Sequence, residues 1–397
     1  MTRREVLALA GAAPAISTAF AQNSKLPAPP VSVRKCESYG EDFYEIFSKM
    51  FDELGGAAKL VRNKTVTIKL NLTGSPGLRF QGRALGVTHY THPKHVLAMT
   101  AVLDRAGAKR IRFVESAWGT AGPLSEYMLD SGWPVRQMAT AAKNVEFLNT
   151  NALGGFAKKY VRRAVPHGGW VFPSYEFNEI YDQTDVMMSM AKLKNHDTCG
   201  ITLAMKNMFG CTPASIYGND AGVDDPNESP TSGRDQCCHA GKRQPAKIAA
   251  GEKDPSSPRE STYRMPRVSV EVVAARPIDI SFIDGIETMT GGEGPWINAA
   301  KGTFKGTGYA KPGLLMLGTN PVATDAVGAA LMGYDPRAPK GTPPFHRCDN
   351  MLLLAEEAGI GSADLKRIEV IGGKIEDLRY PFPMSPMLPG NGPERNG

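Results

Sequence analysis

KTVTIKLNL (residues 64–72), HPKHVLAMTAVLDRAG (residues 92–107) and KRIRFVES (residues 109–116) are the three segments that decide the fold class of this chain. The first and the third are rich in β-branched and apolar residues, which predicts strands. The middle segment predicts a helix, because Pro93 suits the first helical position and Gly107 suits a C-terminal cap. Strand, helix and strand in this order predict a βαβ unit with parallel strands.

The same alternation continues through most of the chain. Apolar runs predict further strands at 145–148, 185–193, 267–275, 278–286, 313–320 and 367–371. Helices are predicted at 124–130, 202–210, 321–333 and 351–358. Asn320 is a natural N-cap for the third of these helices, since its side chain can accept from the first helical N–H groups. The sequence therefore predicts an α/β fold with a mostly parallel sheet built from βαβ units.

The first 63 residues divide into two predicted segments. Residues 1–21 carry twin arginines, Arg3 and Arg4, then an apolar span and a small-x-small cleavage site. This pattern resembles a twin-arginine export signal, whose machinery carries folded proteins to the periplasm or the cell exterior. An ordinary secretory signal and an uncleaved anchor are the alternatives. Residues 22–63 are predicted to form a linker and a helix, with the linker in the Pro-rich stretch 22–35.

The remaining chain is predicted to form one domain with an interruption. Residues 64–373 hold the α/β pattern, and residues 374–397 form a tail rich in Pro, Gly and Met. A long polar insertion occupies residues 212–263. Loops of this length inside a compact domain are usually lids or disordered segments.

Charge and cysteine spacing exclude several classes of protein. The formal charge of +6, without a run of five basic residues, argues against a nucleic-acid partner. Beyond the N-terminal signal no segment is long and apolar enough for stable membrane insertion. The six cysteines show no CxxC spacing, so a zinc ribbon or a cysteine-ligated iron–sulfur cluster gains no support, and the cofactor is unknown. In an oxidising compartment some of the cysteines could pair.

Polar residues follow several predicted strands at the ends where open parallel sheets bind ligands. These residues are Asn71, Glu115, Ser116, Lys192, Lys194, His196, Asp284, Asn320 and Asp325. Each of them alone is equally typical of a helix cap or a turn. Several charged strand ends together favour a ligand site.

The block AKLKNHDTCGITLAMKNMFG (residues 191–210) places cationic groups in an apolar run. Lys192, Lys194 and His196 share one face if the strand continues that far, and Lys206 follows one helix later. A buried lysine costs several kcal/mol unless it is paired, so we expect an anionic partner, either from the chain or from a ligand. The candidate partners within the chain are Asp284 and Glu115.

Two further sequence patterns bear on ligand and metal binding. DGIETMTGGEGP (residues 284–295) is a glycine-rich loop that lacks the P-loop spacing; it is either a turn or a loop whose N–H groups approach a ligand. His89, His92 and His95 are spaced by three, which on one helix would suit a metal. Because Pro93 separates them, no metal site is predicted there.

Five blocks of the sequence resemble, in order, those of the DUF362 family, whose function is unknown. They are VTIKLNL, THPKHVLAMTAVLDRAGAKRIRFVES, MAKLKNHDTCGITLAMKNMFG, ISFIDGIETMTGGEGP and LGTNPVATDAVGAALMGYDP. The residues that match the family blocks are Lys192, Lys194, His196, Lys206, Asn207, Gly210, Asp284, Gly294, Pro295 and Asp325, with His239 matching a histidine of other members. Members often carry a twin-arginine signal, and some carry a ferredoxin-like segment whose cysteine spacing is absent here. The resemblance implies a fold and a set of site residues rather than an activity.

A more distant similarity concerns the N-terminal domain of the nickel-pincer lactate racemases. The order of strands and a lysine near a small-residue helix start, followed by glycine, are similar. In those enzymes a lysine carries the cofactor and histidines assist. The similarity implies these roles for Lys206 and His196.

Three functions remain open on this sequence. The first is an exported enzyme for a small anionic substrate, in which Lys206 or Lys192 holds the anion or acts as base, His196 is the general acid or base, and Asp284 orients a lysine or coordinates a metal. The expected ligand-binding residues are Lys194, Asn71, Asn207, Glu115, Gly294 and Asp325. The second function is a non-catalytic ligand-binding or scavenging protein with the same cleft. The third is an electron-transfer partner, which the missing cluster motif disfavours.

Overall fold

A computed structural model describes residues 25–155, 158–292, 294 and 307–383. Eight strands form the main sheet: β1 Val31–Lys35, β2 Thr65–Lys69, β3 Arg110–Glu115, β4 Val145–Asn149, β5 Val186–Lys192, β6 Ile280–Gly285, β7 Leu314–Gly318 and β8 Val370–Ile371. Their order is β8-β1-β7-β6-β5-β2-β3-β4. Every neighbouring pair is parallel except the two that involve β7. The predicted α/β class with a mostly parallel sheet is confirmed.

The strand order determines where a ligand can enter. From β2 the chain moves outward through β3 to β4, and it then returns to place β5 on the other side of β2. The connections on either side of the β2–β5 pair therefore leave in opposite directions, which opens a crevice at the carboxyl ends of these two strands. The same rim carries the carboxyl ends of β3 and β6, because both are parallel to β2 and β5.

Twelve helices, three short helical turns and four two-stranded ribbons complete the described fold. The ribbons pair Arg79–Phe80 with Arg83–Ala84, Tyr160–Ala164 with Ser174–Asn178, Lys194–His196 with Gly200–Thr202, and Thr288–Thr290 with Gly308–Ala310. The helices are α1 Phe43–Glu53, α2 Ala57–Val61, α3 Leu85–Thr88, α4 Pro93–Arg105, α5 Leu124–Asp130, α6 Val135–Ala139, α7 Ala204–Asn207, α8 Ala214–Tyr217, α9 Ser261–Ala275, α10 Pro321–Leu331, α11 Met351–Glu357 and α12 Ile375–Leu378. The turns are 3-10 at Glu179–Tyr181 and Met208–Cys211, and π-helical at Asp235–His239. As expected, Pro93 opens α4, while Asn320 caps α10 by accepting from the N–H groups of Val322 and Ala323.

The core lies on both faces of the sheet. Along β7, Leu314 and Met316 belong to the hydrophobic cluster on one face, while Leu315 and Leu317 belong to the cluster on the other. This follows from the period of two in a strand. Helices α1 and α4 cover the second face, and α9, α10 and α11 cover the first. A central strand is therefore buried on both sides, and any charged residue at its end must find a partner.

Two predictions of local structure are wrong. Residues 267–275 form part of helix α9 rather than a strand. Valine alternates with polar residues in this segment as it would in a strand, because nearly all sides of the helix are buried. Even Glu271 is buried, and its carboxylate accepts hydrogen bonds from the backbone N–H groups of Trp170, Val171 and Phe172. The stretch 22–35 is not a linker throughout, because its last five residues form β1 and pair with β7 and β8.

The polar insertion 212–263 is packed rather than loose in this structure. It holds α8 and the π-helical turn, and it buries Cys237 and Cys238 against the core. Four of its residues line a cavity at the carboxyl ends of β2 and β5. The insertion therefore forms a wall of the crevice at the sheet rim.

Two further properties concern the described part of the chain. Among the residues that the structure describes, no helix has both the length and the apolar composition needed to span a bilayer. All six cysteines are described, and each is a buried free thiol, so the pairing considered from the sequence is not seen. The expected signal at 1–21 and most of the tail at 374–397 lie outside the described residues.

Candidate functional site

A cavity of about 380 Å³ opens at the carboxyl ends of β2 and β5. Its lining comes from both strand ends, the following hairpin, α7 and the insertion. The charged and imidazole groups of the lining are Lys192, Lys194, Lys206, Arg234, Asp235, His89, His196 and His239. Its other walls include Asn71, Asn207, Trp118 and Phe209. Cationic side chains thus outnumber carboxylates four to one among the described residues of the lining.

The lysine at the end of β5 is held by a buried ion pair. The parallel register sets Lys192 beside Asp284 of β6, and the Nζ to Oδ2 distance is 2.7 Å with both side chains fully buried. The ammonium also donates to Tyr39 Oη at 2.7 Å and to the carbonyls of Val87 and Glu287 at 2.8 and 3.0 Å. These four acceptors engage all three N–H bonds of the ammonium and so stabilise the protonated amine. A protonated amine has no lone pair, so Lys192 cannot act as a base or nucleophile while these contacts persist.

The same carboxylate gathers further groups. Tyr39 Oη donates to Asp284 at 3.1 Å, and His95 Nδ1 lies 3.2 Å from it. Burial disfavours the charged form of Asp284, but the ammonium of Lys192 holds the pKa of this carboxyl well below its usual range. Burial lowers the pKa of Lys192 and of His95. We conclude that Asp284 is an ionised anchor that fixes Lys192, and that it lies behind the cavity wall rather than in it.

A hairpin carries the next cation into the cavity. β5 ends at Lys192, and residues Lys194–His196 pair with Gly200–Thr202 as a separate ribbon. The strand therefore does not continue to His196, and Lys194 reaches the cavity from this ribbon rather than from a longer β5. Lys194 Nζ lies 2.6 Å from His89 Nδ1, and His89 Nε2 lies 3.0 Å from the carbonyl of Thr73.

The contact with Lys194 determines the protonation state and the tautomer of His89. Burial and the charge of Lys194 lower the pKa of His89 well below its usual range. The neutral ring then accepts from Lys194 at Nδ1 and donates to Thr73 from Nε2, which assigns the tautomer. Asn71 supports this arrangement by donating to the carbonyl of His89 at 2.8 Å. His89, considered from the sequence only as a metal ligand, is instead the acceptor of a cavity lysine.

His196 lies at the end of the hairpin strand that carries Lys194. Its Nδ1 accepts from the N–H of Thr198 at 3.1 Å and lies 3.2 Å from Asp197. A ring that accepts at Nδ1 carries its proton at Nε2 when neutral. This arrangement suits the acid or base role expected from the sequence, since His196 also lines the cavity.

Helix α7 supplies Lys206 and Asn207. Lys206 Nζ lies 4.5 Å from the centroid of the Phe209 ring, in cation–π contact. Asn207 ties the helix to the sheet by donating to Ser189 Oγ at 3.0 Å and to the carbonyl of Lys69 at 3.3 Å. Both side chains are half-buried at the cavity, as their place in the family-like block predicted.

Asp325 holds the start of α7 rather than a ligand. Its two carboxylate oxygens accept from the N–H groups of Ala204 at 2.9 Å and Met205 at 3.0 Å. The side chain is completely buried on α10 and does not line the cavity. Despite the two N–H donors, burial raises the pKa of Asp325 to about 7. Asp325 thus positions the helix that carries Lys206, and the structure does not bring it to the cavity lining.

Glu115 also lies behind the wall. It pairs with Lys69, a residue that the sequence did not single out, at 2.6 Å, and both side chains are buried. Gly210 packs directly on this pair, since a Cβ at that position would lie 2.8 Å from Lys69 Nζ and 2.9 Å from Glu115 Oε1. This contact explains the glycine of the family-like block. Lys69 is buried because β2 is covered on both faces.

Arg234 comes from the insertion and was not predicted. Its Nη1 donates to Ser116 Oγ at 2.5 Å and to the carbonyl of Thr212 at 3.1 Å, which joins the insertion to the end of β3. Its guanidinium carbon lies 5.5 Å from the Phe209 ring centroid. The imidazole of His239 packs edge-on against the same ring, with the two ring centroids 5.1 Å apart. An isolated arginine in a polar stretch gives no sequence signal for such a position.

Other expectations concern the loop after β6 and metals. Gly294 is described and buried, but it does not line the cavity, and its neighbours Glu293 and Pro295 lie outside the described residues. Within residues 25–155, 158–292 and 307–383 no group of three His, Cys, Asp or Glu side chains is arranged to hold a metal. The chemistry of the lining is that of a cationic site with imidazole and amide groups.

We predict that Lys69→Met destabilises the protein. It leaves Glu115 as a buried charge without its ammonium, which typically costs about 3–5 kcal/mol in the free energy of unfolding. Urea unfolding measures this loss, and Lys64→Met, at the exposed start of the same segment, is the control. The double variant Lys69→Met, Glu115→Gln should recover a large part of the loss. A single variant as stable as wild type would contradict the role given to this pair.

We predict a pH dependence from Asp325. A carboxyl whose folded pKa is raised stabilises the fold below its unfolded pKa, near 4, and this stability is lost as pH rises to the folded pKa of about 7. The free energy of unfolding of wild type relative to Asp325→Asn should therefore fall by up to about 4 kcal/mol between pH 4 and pH 7. Denaturant unfolding at several pH values tests this. Parallel curves for the two proteins would show that Asp325 does not titrate in this range.

The chain was compared with solved structures and curated proteins. One similar structure is a crystal structure of a Thermotoga maritima protein, at 12% identity and a TM-score of 0.32, covering 62% of this chain and 50% of that chain. Another is the lactate racemase apoprotein from Thermoanaerobacterium thermosaccharolyticum, at 10% identity and a TM-score of 0.31, covering 66% of this chain and 51% of that one. The chain thus spans about half the length of these structures. The comparison with curated proteins gave no match.

The family comparison matches the region that holds the site. A model described as a domain of unknown function, DUF362, matches residues 66–330, which include all of β3 to β7, all but the first residue of β2, and every lining residue of the cavity. This region is more than half of the 397 residues. The chain therefore belongs to the DUF362 family.

Proposed function

We propose that this protein is an enzyme that binds a small anionic substrate or cofactor in the cavity at the ends of β2 and β5. The observation that carries the proposal is the composition of the cavity lining. Four cationic side chains and three histidines meet there, and Asp235 is the single carboxylate among the described lining residues. Removing such groups from water is costly, and an anion within the cavity offsets that cost.

The groups of the cavity suit distinct tasks. Lys206, on the short helix that Asp325 anchors, is placed to hold an anionic group of the ligand. His196 is placed to transfer a proton, because an imidazole changes charge near neutral pH and its Nδ1 is already oriented by Thr198. Lys192 contributes positive charge, and its four acceptors assign it a fixed electrostatic role rather than that of a base.

The volume of the cavity limits the ligand. A space of about 380 Å³ is at the lower end of the range for small-molecule sites and suits a metabolite-sized anion. The paired Lys192 and Lys69 provide rigid supports, since a buried ion pair holds its geometry tightly. A site built on strand ends and anchored helices favours catalysis, which requires fixed geometry.

We expect Lys206→Met to abolish binding of small anions and to leave the melting temperature nearly unchanged. Lys206 is half-buried at the cavity, and methionine keeps an apolar side chain of similar length against Phe209, so the substitution affects the ligand more than the fold. The measurement is thermal stabilisation of the full chain by a panel of carboxylates and phosphates. Lys247→Met, an exposed lysine paired with Asp224, is the matched control.

The Lys206→Met variant also defines the outcome that contradicts the proposal. A large loss of melting temperature in Lys206→Met, with unchanged response to anions, would refute the proposal. Native mass spectrometry of protein purified from its own export route separates an enzyme from a scavenging protein. A retained organic or metal cofactor supports the enzyme, while an apo protein that gains stability from simple carboxylates without turnover supports the binder.

We also propose that the protein is exported by the twin-arginine route. The support is the sequence of residues 1–21, with its paired arginines, apolar span and small-residue cleavage site. The expected result is that Arg3→Lys with Arg4→Lys retains the precursor in the cytoplasm, as measured by fractionation and immunoblotting. Arg34→Lys, on β1, serves as the control. Normal export of the double variant would favour an ordinary secretory signal.

A further inference from the structure

Arg234 is anchored through only one of its terminal nitrogens. Nη1 donates to Ser116 Oγ at 2.5 Å and to the carbonyls of Thr212 and Ser116 at 3.1 and 3.5 Å. Ser116 is itself fixed by a hydrogen bond to Asn151. A planar guanidinium held in this way has a defined orientation at the cavity, because the anchor lies on the buried strand end and not on a mobile surface group.

The other edge of the guanidinium lacks acceptors from the described residues. Nε is buried and makes no hydrogen bond to any of them, and Nη2 donates to none of them either. No described carboxylate forms an ion pair with Arg234, and the adjacent Asp235 is instead bound by Asn219 and Gln236. A buried cationic donor without an acceptor costs several kcal/mol, so this edge indicates a missing anionic partner.

The shape of that edge selects the partner. The N–H bonds of Nε and Nη2 run parallel at the spacing of the two oxygens of a carboxylate. Lys206 and Arg234 both contact the ring of Phe209, which places a second positive charge close to the same part of the cavity. A carboxylate bound there would be held by two parallel N–H bonds and attracted by the ammonium.

A flat apolar surface lines the same cavity. Trp118 lines the cavity with 43% of its surface exposed, which is unusual for a tryptophan next to a core. It follows Ser116, the anchor of Arg234, by two residues. Gly233 packs on the indole, since a Cβ there would lie 2.9 Å from Trp118 Nε1. The indole therefore offers a rigid face on which a planar group can stack.

We propose that the ligand of this cavity is an aromatic carboxylate, with its carboxylate on Arg234 and its ring on Trp118. The inference rests on the proposed function of the cavity and adds the chemical class of its ligand. Arg234 recognises the carboxylate of the ligand, and Trp118 recognises its aromatic ring. The insertion thereby determines specificity, while the sheet rim supplies the general positive charge.

The first test uses wild-type full chain and four probes in isothermal titration calorimetry. Benzoate should bind at least about tenfold more tightly than benzamide, which lacks the charge, because a charge-assisted pair of hydrogen bonds contributes at least about 1.5 kcal/mol. It should also bind about two- to tenfold more tightly than cyclohexanecarboxylate, because an aromatic ring stacks on the indole of Trp118 and a cyclohexane ring does not. Inorganic phosphate should bind more weakly than benzoate.

The second test uses variants and tryptophan fluorescence. Arg234→Lys keeps the charge but removes the fork, and it should weaken benzoate binding by about tenfold or more. Trp118→Leu should remove the fluorescence change caused by benzoate and its preference over cyclohexanecarboxylate. Arg243→Lys is the matched control: it lies in the same insertion, donates to the carbonyl of Asn219, does not line the cavity and should bind benzoate as wild type does.

Three results would overturn the inference. They are equal affinity for benzoate and benzamide, tighter binding of phosphate than of benzoate, and benzoate binding that is unchanged in Arg234→Lys. These results leave the proposed function standing if another anion binds in a manner that Lys206→Met abolishes. If no anion in the panel binds wild type at all, the proposed function fails as well.

Discussion

The buried ion pair between Lys192 and Asp284 is the interaction on which the rest of the site depends. It joins the carboxyl ends of β5 and β6, where the parallel register brings the two side chains to 2.7 Å with no exposure to water. Charges in such a place are tolerated only when they are paired and fully hydrogen-bonded. Tyr39 and two backbone carbonyls complete the set, so the pair fixes the strand ends, the segment before α1 and the loop after β6 in one geometry.

The positive charge of the site is arranged in two layers. In the first layer, Lys69 behind the wall and Lys192 in the cavity lining each meet a buried carboxylate and stabilise the rim of the sheet. In the wall, Lys194, Lys206 and Arg234 approach the cavity from a hairpin, a short helix and the insertion. The first layer makes the rim rigid, and the second gives the space its preference for anions. This division explains why similar residue types in one sequence block have different tasks.

The sequence predicted the sheet and much of the cavity lining for identifiable reasons. Buried parallel strands give long apolar runs, and their carboxyl ends share one rim, so Asn71, Lys192 and Lys206 were assigned to one place from order alone. The prediction of local structure failed where one sequence pattern is compatible with two different structures. The alternation in α9 imitates a strand because the helix is buried on nearly all sides. Lys69 was not singled out, because a lysine within a strand does not reveal that both faces of that strand are covered.

By itself, the sequence determined the α/β class, the rim that carries the site and the cationic character of that rim, because these follow from local periodicity and from residue types at strand ends. Only the tertiary structure decided which carboxylate meets which lysine, that Asp325 supports a helix, and that Arg234 and Trp118 both line the cavity. Pairings of this kind join residues far apart in the chain. They depend on strand order and on the packing of an insertion, which no local pattern records.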